Sequence, residues 1–146
     1  MRASELKRFG LLSALTEEDR EALAELLEVR EIADGTCAFR EGSDGEGLVL
    51  LARGQLNLKS KSQGGRIGSL MAPYHLGAVS LFALGKHEVT AVAEGDCTLW
   101  ELSRSGLSRL ADDAPQVAIR LGEAVITELA GLIRPGLDAL VKHSRK

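Results

Sequence analysis

Residues 76–93 read Leu-Gly-Ala-Val-Ser-Leu-Phe-Ala-Leu-Gly-Lys-His-Glu-Val-Thr-Ala-Val-Ala. The end of this stretch, Val89 to Ala93, and the following Cys97 to Leu102 are strand-like runs flanking Glu94-Gly95-Asp96. They read as a hairpin, because glycine accepts the positive φ that a tight turn demands. In the second run Trp100 shares a face with Thr98 and Leu102. The same texture extends from about Val29 to Ser103, with short runs punctuated by Gly35, Gly42, Gly54, Gly64, Gly65, Gly77 and Gly95. Such a rhythm, with little helical period, marks a barrel or sandwich of short antiparallel strands. Leu48 to Ala52 and Gln55 to Lys59 flank Arg53-Gly54, a second expected hairpin. There Leu56 and Leu58 alternate with Gln55, Asn57 and Lys59, so one face is wet.

Helical patterns bracket this region. Thr16 is a good N-cap, followed by Glu17, Glu18 and Asp19 in the positively polarised first turn. Leu23, Leu26 and Leu27 then bury one face, while Phe9, Leu11, Leu12 and Leu15 form an apolar helical turn packing beneath. On the far side Arg104 to Ala111 makes a short helix, and Asp112-Asp113-Ala114-Pro115 breaks it and restarts the chain. A long helix runs from about Gln116 to Arg134, where Pro135-Gly136 stops or kinks it.

That last helix carries two apolar stripes. Val117, Leu121, Val125 and Leu132 form one; Ile119, Gly122, Ile126, Leu129 and Ile133 form the other at near-heptad spacing. Arg120, Glu123, Thr127 and Arg134 fill the narrow remaining sector. A helix lying on one core needs a single stripe somewhat over ~100° wide. The second stripe calls for another partner, and the same helix of a second copy supplies it most simply. A homodimer through residues 116–134 is therefore expected.

Composition bounds the rest. A chain of 146 residues supports one domain with a single core, and 45% hydrophobic with 27% charged residues is ordinary for a globular protein. A net charge of −3 offers nucleic acid no general attraction. Cys37 and Cys97 are too few for a disulfide framework or a zinc site and read as thiols in strands, which points to the cytoplasm. No apolar run approaches the ~20 residues that span a bilayer, and no signal peptide is expected.

The opening stretch resembles the phosphate-binding cassette of cyclic-nucleotide-binding domains, which runs roughly Phe-Gly-Glu-Leu-Ala-Leu, a variable piece, then Pro-Arg-Ala-Ala-Thr-Val. Phe9-Gly-Leu-Leu-Ser-Ala-Leu-Thr16, Phe39-Arg-Glu-Gly42 and Leu99-Trp-Glu-Leu-Ser-Arg104 are similar to further phrases of that family, in the family's order. The likeness covers residues 9–134, leaving 1–8 as an N-terminal extension and 135–146 as a tail. It implies an α+β, mainly β fold like the effector domain of the catabolite activator protein and FNR superfamily: an antiparallel β-roll or jelly-roll barrel with N-terminal helices, a short cassette helix and two C-terminal helices.

The resemblance also places a ligand pocket at Gly77, Ala78, Val79, Ser80, His87, Glu88 and Thr90. Gly77 and Thr90 keep the family's residues. Ala78 stands where the family has the glutamate that grips the ribose, and His87 where it has the arginine that pairs with the cyclic phosphate. Arginine suits a phosphate because its fork donates in parallel and stays ionised; a histidine titrates near neutrality. Glu88 pointing inward would repel the phosphate, and Lys86 offers only a point charge in compensation. With charge-assisted bonds worth about 1.5–3 kcal/mol each, loss of both anchors removes tight cyclic-nucleotide binding. No cofactor is expected. About a dozen residues follow Arg134, too few for a helix-turn-helix, so no DNA contact is expected and the basic tail reads as a solvated end.

Other constellations favour no catalysis. Gly42-Ser-Asp-Gly45-Glu-Gly47 reads as a turn, with Glu41, Asp44 and Glu46 facing water, and Gly85-Lys86 lacks the partners of a phosphate loop. His75 and His87 are isolated, without the His-x-His pair that a cupin metal site uses, and no Gly-x-Ser-x-Gly elbow is present. The expected function is a regulatory module working through protein contacts, with a sensor of weakly bound cyclic nucleotide or another small ligand as the alternative.

Overall fold

The computed structural model describes residues 2–62, 64–83 and 85–144, with the side chains at 132, 133, 136, 137, 139, 140 and 142–144 outside the described set. A 3-10 helix over Ala3–Arg8 leads into α1 (Gly10–Ser13) and α2 (Glu17–Ala24). Strands β1 (Glu28–Ile32), β2 (Cys37–Phe39), β3 (Gly47–Ser60), β4 (Gly65–Met71) and β5 (Tyr74–Leu76) follow, then a 3-10 turn over Ala78–Leu81, β6 (Thr90–Ser103), α3 (Arg104–Asp113) and α4 (Pro115–Ser144). All strand pairs are antiparallel, in the order β1-β6-β3-β4, with β2 added to β6 and β5 to β3. The antiparallel β-roll with flanking helices expected from the sequence is therefore present, although helices hold more residues than strands, chiefly because α4 is 30 residues long.

Both expected hairpins are absent as hairpins. Arg53-Gly54 and Glu94-Gly95-Asp96 lie inside β3 and β6, each a continuous strand of 14 residues. These two strands pair with each other, and the register slips on either side of Arg53. Gly54 (φ 97) and Gly95 (φ 76) are bends within the strands rather than reversals of the chain. A bulge inserts an unpaired residue and so exchanges the faces of the strand beyond it. Before the bulge Leu48, Leu50 and Ala52 face the helices while Leu51 faces the roll interior; after it Leu56 faces the interior. The crowding at Gly54 is tight: a Cβ there would lie 2.6 Å from Cys97 Sγ and 2.7 Å from the Asp96 carbonyl oxygen.

Buried side chains form two clusters where the chain length argued for one. The larger lies between the sheet and the helices and joins Phe9, Leu12, Leu23, Leu50, Trp100 and Leu121, with Phe9 edge-on to Trp100 at 5.9 Å. The smaller fills part of the roll with Ile32, Leu51, Leu56, Ala91, Cys97 and Leu99. Leu6 is fully buried in the first cluster, so the segment ahead of residue 9 packs into the same core. Cys97 is buried and Cys37 half-buried, both as free thiols.

Thr16 caps α2 as expected. Its hydroxyl accepts from the Asp19 N–H at 3.1 Å, and its own N–H donates to Asp19 Oδ2 at 3.2 Å. The other Asp19 oxygen accepts from Arg120 at 2.6 Å, so this buried carboxylate ties α2 to α4. His75 on β5 contacts Glu128 at 2.5 Å and makes a second tie to α4. Val117, Leu121 and Val125 face the core, as the first stripe implied; the Leu132 side chain is outside the described residues. Pro135-Gly136 does not end α4, which continues to Ser144. A helical proline forfeits one hydrogen bond and crowds the carbonyl four residues back, while the bonds on either side persist.

Gly54→Ala should lower unfolding free energy in urea titration by about 2–3 kcal/mol, combining a strained φ with a steric clash. Gly95→Ala, whose Cβ would meet nothing within 4 Å, should cost only about 1 kcal/mol, and equal losses would contradict the close approach at Gly54.

Candidate functional site

The cassette begins at a backbone constraint. Gly77 adopts the left-handed conformation (φ 72) ahead of the Ala78–Leu81 turn, and a Cβ there would meet the Gly47 carbonyl oxygen at 2.7 Å. No other residue type fits both demands without strain. Ala78 is buried and packs into the helix-side core with Leu81. Val79 is exposed and Ser80 half-buried. Beyond the turn, the Phe82 ring lies over α4 at Gly122, where an added Cβ would touch it at 3.7 Å.

The far arm of the cassette is laced to the turn between β2 and β3. The Gly42 N–H donates to the His87 carbonyl at 2.8 Å, the His87 N–H to the Ser43 carbonyl at 2.8 Å, and the Gly45 N–H to the Gly85 carbonyl at 2.9 Å. Asp44 and Lys86 pair as an isolated antiparallel bridge. Thr90 joins the same lacing, because its hydroxyl accepts from the Glu41 N–H at 2.9 Å. The Glu41 carboxylate in turn accepts from the Lys61 N–H at 3.0 Å, so Glu41 is half-buried rather than solvated as the sequence implied. Asp44 and Glu46 are exposed, and the Gly42–Gly47 segment is turn-like, as expected.

The His87 side chain is half-buried against the end of β2. Its ring stacks on Phe39 with centroids 4.1 Å apart and planes 14° from parallel. It forms a wall shared by two cavities, of about 390 and 700 Å³. The first is lined by Glu28, Asp44, Glu46 and Glu101 together with Phe39, Ser43 and Arg30. Arg30, the one cation among its described lining residues, is already committed: it reaches Glu101 at 3.3 Å and donates to the Ala38 and Cys37 carbonyls at 2.9 and 3.1 Å. The second cavity is lined by Glu41, Ser60, Ser62, Ile67 and the exposed Glu88. Both surroundings are acidic.

Of the seven residues placed in one pocket by the sequence, Ser80 lies against Gly45, where an added Cβ would meet its hydroxyl, and the others take different places. Gly77 and Ala78 shape the start of the cassette, Val79 faces outward, and Thr90 serves a backbone N–H. His87 and Glu88 share the 700 Å³ cavity. Sequence reasoning did not assign Phe39, Glu28, Arg30 and Glu101 to the site. Phe39 carried a signal, its place in the Phe-Arg-Glu-Gly phrase, whereas the other three converge only through strand register. On α4, Ile119 and Ile126 are 61% and 66% exposed, Gly122 sits beneath Phe82, and Leu129 packs toward the core instead of joining the outer stripe. The Ile133 side chain is outside the described residues. Among the described residues no group of three or more His, Cys, Asp or Glu could hold a metal ion, and no helix is long and apolar enough to cross a membrane.

Residues 29–114 match the family described as the cyclic nucleotide-binding domain. The chain belongs to that family. It is similar to a cAMP-dependent protein kinase regulatory subunit from Yarrowia lipolytica, with 27% identity over 105 residues that make up 72% of this chain but only 28% of the relative. Among solved structures it resembles the N-terminal domain of a transcriptional regulator from Streptomyces coelicolor A3(2), with a TM-score of 0.78, 27% identity and coverage of 88% of this chain and 94% of that one. It also resembles the Thermus thermophilus catabolite activator protein, with a TM-score of 0.69, 27% identity and coverage of 90% and 62%. The chain thus spans a little over a quarter of the kinase subunit and less than two thirds of the activator.

Burial pushes the His87 imidazole below its ordinary 6.5, against a smaller upward pull from Glu46. The fold accordingly favours the neutral ring, and the linked stability is full above the ordinary value and lost as pH falls from there through the lower folded one. Between about pH 7.5 and about pH 5 the urea midpoint should fall more for the wild type than for His87→Gln. Equal falls would show that the ring is not desolvated by folding.

Proposed function

We propose that this domain is a regulatory interaction module that does not hold cAMP or cGMP tightly and acts through protein contacts. One observation carries the reading: the His87 main chain and the Thr90 hydroxyl are bonded within the chain, and the cavities beside His87 are lined largely by carboxylates. A buried cyclic phosphate needs a fixed counter-charge and aimed N–H donors. Here the residue at the arginine position stacks on Phe39, and Glu41, Glu46 and Glu88 add like charge around it. The glutamate position is held by Ala78, buried among apolar side chains, where an ionised carboxylate would be costly.

A second copy of this chain is the first expected partner. Ile119 and Ile126 stand exposed one heptad apart on α4, and Phe82 continues their apolar surface across Gly122. A further protein partner accords with the regulatory names of the relatives, and the net charge of −3 favours a protein over nucleic acid. The role is regulatory rather than catalytic, and two free cysteines suit a cytoplasmic setting. The second reading, a sensor for weakly bound cyclic nucleotide or another small ligand, draws on the 700 Å³ cavity beside His87.

Calorimetric titration of the wild type with cAMP and cGMP should give dissociation constants weaker than about 100 μM, and micromolar or tighter binding would sink the proposal. For the partner, Ile126→Asp should convert a dimer into a folded monomer by light scattering. A dimer that survives the substitution would place the interface elsewhere.

A further inference from the structure

We propose that Phe39 determines ligand exclusion: it captures the side chain at position 87 and so closes the cassette from within. The inference rests on the reading that this cassette holds no cyclic nucleotide tightly, and it identifies what enforces that state.

Phe39 lies at the end of β2, where the ladder with β6 slips between Cys37 and Phe39. It is half-buried and packs against the roll-interior cluster, so its ring is anchored on one side by apolar contacts. The near-parallel His87 ring covers it at 4.1 Å. The backbone of residue 87 is fixed independently, because its N–H and carbonyl are both bonded to the turn that follows Phe39. With the main chain held on both polar groups, the side chain at position 87 is set beside the Phe39 ring. His87 lines both the 390 and the 700 Å³ cavities, and Phe39 lines the first.

The consequence is specific. Guanidinium groups stack on aromatic faces at least as well as imidazoles do. An arginine placed at position 87 would therefore be captured by Phe39 and drawn away from a bound phosphate. Restoring the charge alone does not restore the anchor; the aromatic ring must go as well. A degenerate cassette that had lost only its arginine would respond differently, and this difference makes the role of Phe39 testable.

The experiment titrates cAMP into four proteins: wild type, His87→Arg, and His87→Arg combined with either Phe39→Ala or Phe39→Leu. Phe39→Leu keeps apolar volume against the roll and guards against loss of fold in Phe39→Ala. His87→Arg alone should bind no better than wild type, and the double variants should bind about tenfold tighter or more, the worth of one charge-assisted bond. The proposal is overturned if His87→Arg alone achieves that gain, or if the double variants bind no better than His87→Arg. Micromolar binding by the wild type would instead defeat the proposed function, while the comparison among the variants would still decide the role of Phe39. A readout free of ligand accompanies it: the His87 ring protons should resonate upfield in the wild type and move downfield in Phe39→Leu. Ring resonances unchanged by Phe39→Leu would contradict the stack.

Discussion

The pairing of β3 with β6, bent at Gly54 and Gly95, is the constraint on which everything else rests. Alternate residues of these strands face opposite cores, Leu50 and Trp100 toward the helices and Leu51 and Leu99 toward the roll. The bulge near Arg53 lets β3 turn Leu48 and Leu50 toward the helices and, further along, Leu56 toward the roll. The same strand approaches β6 so closely at Gly54 that Cys97 and Asp96 leave no room for a side chain. Near its start, β3 presents the Gly47 carbonyl against which Gly77 must fold, and that contact fixes where the cassette begins.

From this frame the cassette follows as a structural element. Its near arm sends Ala78 and Leu81 into the helix-side core, and its far arm is laced to residues 42–45. Phe82 reaches α4, so the cassette and the last helix form one packed surface. In a site built for an anion, backbone N–H groups and a cation converge on open space. Here the N–H groups of Gly42, Gly45 and His87 are satisfied by carbonyls, and that of Glu41 by Thr90. These bonds tie the stretch from Gly85 to Thr90 to residues 41–45.

Much of this was legible in the sequence, and the exceptions share a cause. Glycine spacing identified the roll, Thr16 the start of α2, and Pro115 the start of α4, because each is a local signal with a local mechanism. Gly54 and Gly95 suggest turns in the sequence because a positive-φ glycine looks the same in a reversal and in a bulge; only the partner strand separates the two. Leu129 matched the outer stripe by spacing, yet its contacts lie toward the core. The Phe39–His87 stack joins residues far apart in the chain and could not be inferred from either. Pairings set by tertiary register were the ones that sequence alone could not supply.

The His87 main chain, the Thr90 hydroxyl and the N–H groups of the facing turn are engaged within the chain. Amide resonances of the uniformly labelled wild-type protein, followed through a titration with cAMP into the millimolar range, test this engagement most directly. Gly42, Gly45, His87 and Thr90 should show no saturable shift at micromolar ligand, because their hydrogen bonds are made within the chain. Saturable shifts confined to those residues at micromolar cAMP would contradict it, showing that the lacing opens to admit the nucleotide.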